Sequence, residues 1–407
     1  MFHPIFKSSS VQRIIWAALA LALVSLFLLL PSLGSRSVVD SLHIPSLHKT
    51  KQGSLPIPNV VHFVHLSYPN STTPFEFPFR QFVAVYSAWY YLKPETINIW
   101  TNMDERSIAG WIKKAKSPYT RAVSDLPGVV FKHHNTTNHT SNGTRIDLLP
   151  NQSDFVRTDI LMKYGGVYLD DDSYVLRDLA PLRNLQYDNV VGKQVNGEIC
   201  PAVILATPNN KLMATYHALQ DVVFRFSEWA DHATKLLTTL VREFQTPDNQ
   251  VLVLDQDTFF PSAWYPEDIE KLYRVHPDGG PDIIHNKPTK NITDFMANFQ
   301  LKEPDTWKRD WRLSYTLHGW TSGIDHTFNE TKQREIFGQD QGITLDYILA
   351  KSSNFALAVY PAIRHALDTG VLAHVPDDSL QMGSTEVVDA DELRRVKGHW
   401  KRRNIDR

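Results

Sequence analysis

Three aspartates, Asp170 to Asp172, follow a short apolar segment near the middle of the chain. The segment 167–169 (VYL) has the composition of a strand, and residues i and i+2 of extended backbone face the same way. The carboxylates of Asp170 and Asp172 are therefore expected to converge, and they repel each other unless a cation neutralises them. Hard oxygen ligands suit Mg²⁺ or Mn²⁺. The spacing predicts a divalent-metal site, with a solvated acidic turn as the alternative.

Asp154 and Arg157 are three residues apart in a segment that is predicted to be helical. Ser153 is suited to be the N-cap of a helix over 153–164, and a Gly-Gly pair would end it. At this spacing the two side chains share a helix face, and in the first turn they would lie at the same sheet edge as the aspartates. Asp154 could then accept from the hydroxyls of a ligand while Arg157 donates to its oxygens. The alternatives are an interaction of Asp154 with the helix dipole and a simple Asp154–Arg157 ion pair.

Short apolar runs alternate with helix-length periodic segments on both sides of this stretch. The alternation predicts an α/β fold, with a mostly parallel sheet, helices on both of its faces, and ligands bound at the carboxyl ends of the strands. Strands are predicted over 59–65, 96–101, 129–132 and 167–170, and helices over 79–92, 104–116 and 153–164.

The combined spacing S-D-x-x-R…L-x-x-x-G-G-x-Y-x-D-x-D resembles the signature of the DXD-containing glycosyltransferases of family 32. Weaker similarity is found at 57–66, at 97–101 and at LHGW (317–320), which resembles the family's short His-x-Trp motif. The resemblance covers roughly residues 56–325. In this chain the signature consists of Ser153, Asp154, Arg157, Leu161, Gly165, Gly166, Tyr168, Asp170 and Asp172.

The resemblance implies a GT-A fold, which is Rossmann-like, behind an N-terminal single transmembrane helix. It also implies Mn²⁺ (or Mg²⁺) as cofactor, a UDP- or GDP-sugar as donor, and retention of anomeric configuration. Asp172 would ligate the metal, and Asp170 would be shared between the metal and the ribose or sugar. His318 would complete the metal site or contact the diphosphate, or be structural, and Trp320 would pack or support an acceptor. The implied catalytic residues are Asp154, Arg157, Asp170 and Asp172; the donor-binding residues are Asp154, Arg157, Asp170 and His318; and the metal ligands are Asp170, Asp172 and His318.

Composition excludes several classes of protein. The 407 residues include 42 Lys+Arg and 44 Asp+Glu, and 42% of the residues are apolar and 21% charged. These values exclude a disordered or fibrous chain, and a net charge of −2 lacks the basic footprint of a nucleic-acid binder, so no nucleic-acid partner is expected. The single cysteine, Cys200, rules out an intramolecular disulfide, and the cysteine pairs of some animal relatives of the family are missing.

Seventeen residues without a charge occupy 14–30. As a helix they would span about 25 Å, and with 31–34 they predict a transmembrane anchor over 14–34. Lys7 and Arg13 precede the anchor and favour a cytoplasmic N-terminus, with the rest of the chain in the lumen as a type II protein. A cleaved signal peptide is the alternative.

Seven N-x-[ST] triplets agree with a location in the lumen of the secretory pathway. The anchor and the triplets together predict a Golgi (or ER) membrane glycoprotein. A glycan at Asn151 would crowd the start of the predicted helix. The triplets start at Asn70, Asn135, Asn138, Asn142, Asn151, Asn291 and Asn329.

These observations predict a metal-dependent retaining glycosyltransferase that moves a sugar from a nucleotide-sugar to a hydroxyl of a glycan or glycolipid. The predicted segments are a cytoplasmic tail (1–13), the anchor (14–34), a Ser-rich stem (35–55), the GT-A catalytic domain (56–380) and a basic C-terminal tail (381–407).

Two other functions are open alternatives. One is a phosphohydrolase with a D-x-D nucleophile, although Tyr174 stands where that motif has Thr or Val. The other is a membrane-anchored protein that binds sugar without turning it over. Asp255 and Asp257 form a second D-x-D, which is interpreted as part of a loop before FFPSAWYP and as a weaker site candidate.

Overall fold

The computed structural model describes residues 56–68, 75–245, 251–276 and 307–372. Seven strands form one sheet in the order β3-β2-β1-β4-β7-β6-β8, and β5 and β9 form a separate two-stranded ribbon. The strands are β1 (Val60–Val64), β2 (Thr96–Thr101), β3 (Val129–His133), β4 (Gly166–Leu169), β5 (Ser173–Val175), β6 (Asn189–Lys193), β7 (Ile199–Ala206), β8 (Val251–Leu254) and β9 (Thr316–His318).

The helices of the described residues follow the predicted alternation with the strands. A π-helical turn, Asp231–Lys235, precedes one of them. They are α1 (Phe79–Leu92), α2 (Glu105–Lys114), α3 (Pro118–Asp125), α4 (Leu149–Tyr164), α5 (Ala180–Arg183), α6 (Lys211–Val223), α7 (Leu236–Phe244), α8 (Gln256–Phe259), α9 (Pro266–Tyr273), α10 (Thr321–Thr327), α11 (Glu330–Phe337), α12 (Leu345–Leu349) and α13 (Asn354–Asp368).

The sheet is mostly parallel, as predicted. Strands β1, β2, β3 and β4 run parallel, with Val61 in register with both Ile97 and Val167. Strand β7 is antiparallel to β4 and β6, and β8 is parallel to β6. Consequently β4 and β8 point the same way, and their carboxyl ends lie at the same edge of the sheet as those of β1 to β3.

Helices cover both faces of the sheet, which confirms the predicted α/β class. Successive strand residues point to opposite faces, so Val61 and Phe63 join one hydrophobic cluster and Val64 joins another. The first cluster includes residues of α1 and α13, and the second includes residues of α4, α6 and α7.

Helix α4 begins earlier than predicted. It starts at Leu149, after the N-cap Leu148 and with a proline in its first turn, so the predicted N-cap at Ser153 is wrong. Proline suits a first turn because its φ is already helical and its missing N–H has no partner there. Asp154 therefore lies in the second turn instead of the first, and its predicted place near the positive end of the dipole is also wrong. Asn151 is an interior residue of α4 and is only 2% exposed, so a glycan at that triplet does not fit the folded protein.

The connection from α4 to β4 requires glycine. Gly166 has a φ of +99°, and a Cβ there would lie 2.4 Å from the carbonyl oxygen of Val60. This close approach lets β4 pair directly with β1 after the helix ends at Gly165. The strand covers Gly166–Leu169, so Asp170 is the first residue after it.

Several predicted features lie outside the described residues: the segments 1–13, 14–34, 35–55 and 381–407, and the triplets at Asn70 and Asn291. Within the described ranges, no helix combines the length and the apolarity that a membrane crossing needs. The triplet asparagines that are exposed in the described part are Asn135, Asn138, Asn142 and Asn329.

Candidate functional site

The aspartates form a tight turn between β4 and β5. The backbone N–H of Asp170 donates to Ala202 O on β7 at 2.9 Å, and Ser173 N–H donates back to Asp170 O at 2.9 Å. The carboxylates therefore converge because of this turn, not through the extended backbone that the sequence suggested. Asp171 faces elsewhere, and its Oδ2 accepts from Nε2 of Gln81 on α1.

His318 is brought to the aspartates by the β5–β9 ribbon, in which it pairs with Ser173. Its Nε2 lies 2.9 Å from Asp172 Oδ1 and 3.7 Å from Asp170 Oδ2. One ligand atom from each of these three residues lies within 4.8 Å of the others, which is the spacing that a single cation needs. The structure thus places the three predicted metal ligands together.

The ribbon can approach the turn because residue 319 is glycine. Gly319 N–H donates to Asp172 O at 2.8 Å, and a Cβ at this position would lie 2.8 Å from the hydroxyl oxygen of Tyr273. The same hydroxyl donates to Gly319 O at 2.7 Å. A larger residue would push β9, and with it His318, away from the aspartates.

Thr321 is a contact of the site that the sequence did not indicate. Its backbone N–H and its Oγ1 both donate to Asp172 Oδ2, at 2.8 Å and 3.0 Å. The preceding residue, Trp320, has a φ of +52°, and this left-handed conformation turns the chain from β9 into α10. No local pattern identifies such a threonine, because its role depends on the turn that precedes it.

Arg157 connects Asp154 on α4 with Asp170 in the turn after β4. Its Nη1 donates to Asp154 Oδ1 at 2.7 Å, and its Nη2 donates to Asp170 Oδ1 at 2.8 Å. Its guanidinium carbon lies 4.6 Å from the ring centroid of Tyr168, whose hydroxyl also donates to Asp170 Oδ1, at 2.7 Å. The i,i+3 ion pair considered as an alternative is present, but Arg157 is only 4% exposed and also contacts Asp170.

Burial and neighbouring charges shift the pKa values of Asp172, His318 and Arg157 in opposite directions, and the neighbouring charges have the larger effect. Burial alone would raise the pKa of the Asp172 carboxyl, but the charge of His318 and the hydrogen bonds from His318 and Thr321 lower it to about 2. Burial alone would lower the pKa of His318, but the carboxylates of Asp172 and Asp170 raise it to about 9. The pKa of Arg157 is likewise held well above its usual value, since Asp170 and Asp154 outweigh the effect of burial.

The donor set of two carboxylates and one imidazole fits a divalent cation. The His318 ring lies beside both carboxylates, where their charge requires a cation. Mg²⁺ prefers oxygen ligands throughout, so a set that includes an imidazole suits it less well than an all-oxygen set would. Nδ1 of His318 has no hydrogen-bond partner among the described residues, and the ring packs edge-on against Trp320 with 4.1 Å between centroids.

Two other sequence candidates supply none of the three ligand atoms: Trp320, which packs on His318, and the pair Asp255 and Asp257. Trp320 is half-buried and its indole N–H donates to Ser262 O at 2.9 Å, an arrangement that agrees both with packing and with supporting an acceptor. Asp255 and Asp257 are exposed, and each forms one long ion pair. Asp255 lies 3.5 Å from Lys193, and Asp257 lies 3.4 Å from Arg309.

The fold and the site together are those of a DXD-containing α/β protein, and comparison with known families agrees. Residues 88–194 match the family described as "Glycosyltransferase sugar-binding region containing DXD motif". This range includes Asp154, Arg157, Asp170 and Asp172 but not His318. The resemblance to family 32 glycosyltransferases that the sequence predicted is confirmed for this part of the chain.

Characterised proteins with similar sequences point the same way. Glucan organizing enzyme 1 of Cryptococcus neoformans var. grubii is 25% identical over 247 residues, which cover 58% of this chain and 62% of that protein. The human lactosylceramide 4-alpha-galactosyltransferase is 28% identical over 148 residues, which cover 34% of this chain and 39% of that enzyme. The chain thus matches less than two thirds of the length of either relative.

Solved structures with remote similarity include two glycosyltransferases. The apo-form of GlyE from Streptococcus pneumoniae TIGR4 has 13% identity and a TM-score of 0.39, over 77% of this chain and 64% of that one. The PaToxG glycosyltransferase has 14% identity and a TM-score of 0.34, over 46% of this chain and 70% of that one.

Proposed function

We propose that the protein is a metal-dependent retaining glycosyltransferase of the GT-A type, which transfers a sugar from a UDP- or GDP-sugar to a hydroxyl of a glycan or glycolipid. The observation that carries the proposal is the convergence of Asp170, Asp172 and His318 within 4.8 Å at the carboxyl end of β4. Ligands of open α/β sheets bind at this edge. The matched DXD family supports the choice of a nucleotide-sugar as the ligand.

Each residue of the site has a distinct role in this proposal. Asp170, Asp172 and His318 would hold a divalent cation, whose chemistry when bound would be to supply positive charge to the leaving diphosphate. Arg157, fixed between two carboxylates, keeps the Asp170 carboxylate oriented while Asp154 accepts from hydroxyls of the transferred sugar. Thr321 restrains Asp172 through two hydrogen bonds to one carboxylate oxygen.

The reaction proposed is a front-face substitution. The acceptor oxygen bonds to the anomeric carbon as the bond from that carbon to the diphosphate oxygen breaks, and the acceptor proton passes to the departing phosphate. Atoms and charge balance without an enzymic nucleophile. The fixed charges around Asp170 need no reorganisation during the reaction, and such preorganisation is the main electrostatic advantage of an enzyme site.

We also propose that residues 14–34 anchor the protein as a single-pass type II protein of the Golgi (or ER), with the catalytic domain in the lumen. The exposed triplets at Asn135, Asn138 and Asn142 support a luminal location because glycans can be attached there without disturbing a buried group. Translation of the full chain into microsomes tests this. An anchored chain resists carbonate extraction, is protected from protease and gains glycans, whereas a cleaved signal peptide gives a shortened chain that carbonate releases.

The activity is tested on the full-length chain purified in detergent. It is offered UDP-galactose, UDP-glucose, UDP-N-acetylglucosamine and GDP-mannose, with Mn²⁺ or with EDTA, and lactosylceramide and oligosaccharide acceptors. UDP-galactose with lactosylceramide is the first pair to test, since a relative is named for transfer to that lipid. The expected result is Mn²⁺-dependent transfer from one donor, measured as labelled product and released nucleoside diphosphate.

Other outcomes would refute the proposal in different ways. Sugar transfer that persists in EDTA would show that the reaction needs no metal and would refute the proposed metal site. Phosphate release from phosphate esters without a sugar donor would favour the phosphohydrolase. Sugar binding without transfer from any donor to an acceptor, and without hydrolysis of any donor, would favour a silent sugar-binding protein.

A further inference from the structure

His232 is a fully buried histidine that contacts Asp154. It is 0% exposed, and its Nε2 lies 3.0 Å from Asp154 Oδ2. Because a carboxylate can only accept, Nε2 carries the proton and donates it to this contact. The other ring nitrogen, Nδ1, has no hydrogen-bond partner among the described residues. A buried polar atom without a partner is costly, so the contact with Asp154 is the one polar interaction that accounts for a histidine at this position in the described structure.

The ring of His232 is held in a fixed orientation. Phe155 stacks on it with 5.8 Å between centroids and 14° between planes, and Phe224 meets it edge-on at 4.9 Å and 71°. The residue lies on the π-helical turn Asp231–Lys235, whose Ala233 carbonyl accepts from the hydroxyl of Tyr216 at 3.1 Å. π-helical turns are rare in proteins, and those that occur are often at functional sites.

Asp154 is constrained on both carboxylate oxygens by this arrangement. Oδ1 accepts from Arg157 and Oδ2 accepts from His232. Gln220 on α6 donates to its backbone carbonyl at 3.3 Å. Each carboxylate oxygen has a second lone pair, so Asp154 keeps the capacity to accept from a ligand in a fixed direction.

We propose that His232 is a positioning residue for recognition of the donor sugar. It fixes the rotamer of Asp154, so that the remaining lone pairs of this carboxylate accept from hydroxyls of the transferred sugar. The inference rests on the proposed function, since it requires a nucleotide-sugar at this edge of the sheet. The inference assigns His232 to recognition of the sugar rather than of the diphosphate, because none of the three metal-site residues contacts His232.

The test separates the sugar from the nucleotide. Full-length wild type and His232→Phe are titrated with Mn²⁺–UDP and Mn²⁺–UDP-galactose by calorimetry, or with GDP and GDP-mannose if that donor is the one turned over. Phenylalanine keeps the ring but removes the donor to Oδ2. We expect binding of the nucleotide-sugar to weaken about 10- to 100-fold, the usual effect of losing a supporting hydrogen bond, while binding of the free diphosphate changes less than about 3-fold.

Two further variants separate positioning from stability. His232→Gln carries an amide N–H that can reach the same carboxylate oxygen, so it should recover most of the nucleotide-sugar affinity. His217→Phe is the matched control, because His217 also contacts α4, through Thr158 at 3.1 Å, but does not touch Asp154. It should leave both affinities unchanged.

The outcomes distinguish the inference from the function on which it rests. Wild-type affinities in His232→Phe, an equal loss for diphosphate and nucleotide-sugar, or no recovery in His232→Gln would overturn the inference. A wild-type protein that neither binds nor turns over any nucleotide-sugar would overturn the proposed function itself. If His232→Phe does not fold, judged by its thermal melt, His232→Asn replaces it, since its shorter amide does not reach Oδ2.

Discussion

The two D-x-D stretches of this chain have the same spacing and opposite environments. Each follows a strand, β4 or β8, and the two strands end at the same edge of the sheet. The side chains of Asp170 and Asp172 are 27% and 11% exposed. Those of Asp255 and Asp257 are 92% and 65% exposed.

What separates the two stretches is their neighbours. Strand β4 is central, so α4 supplies Arg157 from one side, and on the other the β5–β9 ribbon supplies His318 and the start of α10 supplies Thr321. Strand β8 is at the end of the described sheet, where only one lysine and one arginine come near the second pair. Coulomb interactions are stronger where water is excluded, so the first pair is better suited than the second to the proposed cation.

The largest expected difference between the two stretches is in activity. Asp172→Asn should lower the Mn²⁺-dependent kcat about 10³-fold, about 4 kcal/mol, because it removes a charged metal ligand and a partner of Thr321. Asp257→Asn should leave kcat within about 2-fold. Donor turnover under saturating Mn²⁺ measures both. Comparable losses in the two variants would mean that the environment does not distinguish the stretches.

A second difference is expected in the free energy of unfolding. Arg157→Met leaves Asp154 and Asp170 without their shared cation and should destabilise the protein by about 3 kcal/mol or more. Arg309→Met removes a long ion pair with the exposed Asp257 and a cation–π contact with Trp311 at 5.8 Å, and should cost about 1 kcal/mol. Urea unfolding of both variants measures the difference. An Arg157→Met protein as stable as wild type would show that the buried pairs are not needed to hold the turn.

The third prediction concerns pH and the anchoring of β4 on the central strand β1. His62 on β1 lies 2.8 Å through Nε2 from Gly165 O, and its Nδ1 accepts from the indole N–H of Trp100 at 3.1 Å. Burial lowers the pKa of His62 from 6.5 to about 4. The neutral ring is therefore favoured by folding, and its stabilisation is complete above pH 6.5 and is lost as the pH falls towards 4.

Between pH 7.5 and pH 5.0 this linkage should cost about 2 kcal/mol of unfolding free energy. His62→Gln should be less stable at neutral pH but should lose this part of the pH dependence, and His139→Gln, which replaces an exposed histidine, should keep it. Urea unfolding at the two pH values provides the comparison. If His62→Gln lost as much unfolding free energy between pH 7.5 and pH 5.0 as the wild type does, the acid sensitivity would have to come from other groups.

The smallest effect is expected at Thr321. Thr321→Val keeps the backbone hydrogen bond to Asp172 but loses the one from Oγ1, which should weaken Mn²⁺ binding about 10-fold, or about 1.5 kcal/mol. Ser322→Ala, at the next and exposed position, should bind Mn²⁺ like wild type. Calorimetric titration with Mn²⁺ measures both. Equal affinities for all three proteins would show that the hydroxyl does not restrain the metal ligand.

Local periodicity predicted the elements around the site well. The helix over Phe79–Leu92 and the strand over Thr96–Thr101 have the predicted bounds, because their apolar residues repeat with the period of the element. The predicted start of α4 is wrong because Ser153, which resembles an N-cap, lies inside the helix, and Pro150 occupies its first turn. The tight turn at Asp170–Asp172 was also missed, since short polar runs do not reveal their backbone conformation.

The site could be predicted only where its residues form a local pattern. Asp154, Arg157, Asp170 and Asp172 occur within one stretch, and their spacing alone indicates shared faces. His318 was proposed through family resemblance, and Thr321 and His232 were not identified. Their positions depend on how distant parts of the chain pack, and no short-range rule connects them with the aspartates.

The pairing of β5 with β9 has a consequence for the order in which the site forms during synthesis. Asp172 and Thr321 are 149 residues apart, so the whole DXD signature emerges from the ribosome long before the residues that complete the site. Closing so long a loop carries an entropic cost that only late contacts repay. A nascent chain that stops short of β9 would carry every residue of the signature and yet lack His318 and Thr321, so the proposed metal site would form only when folding is nearly complete.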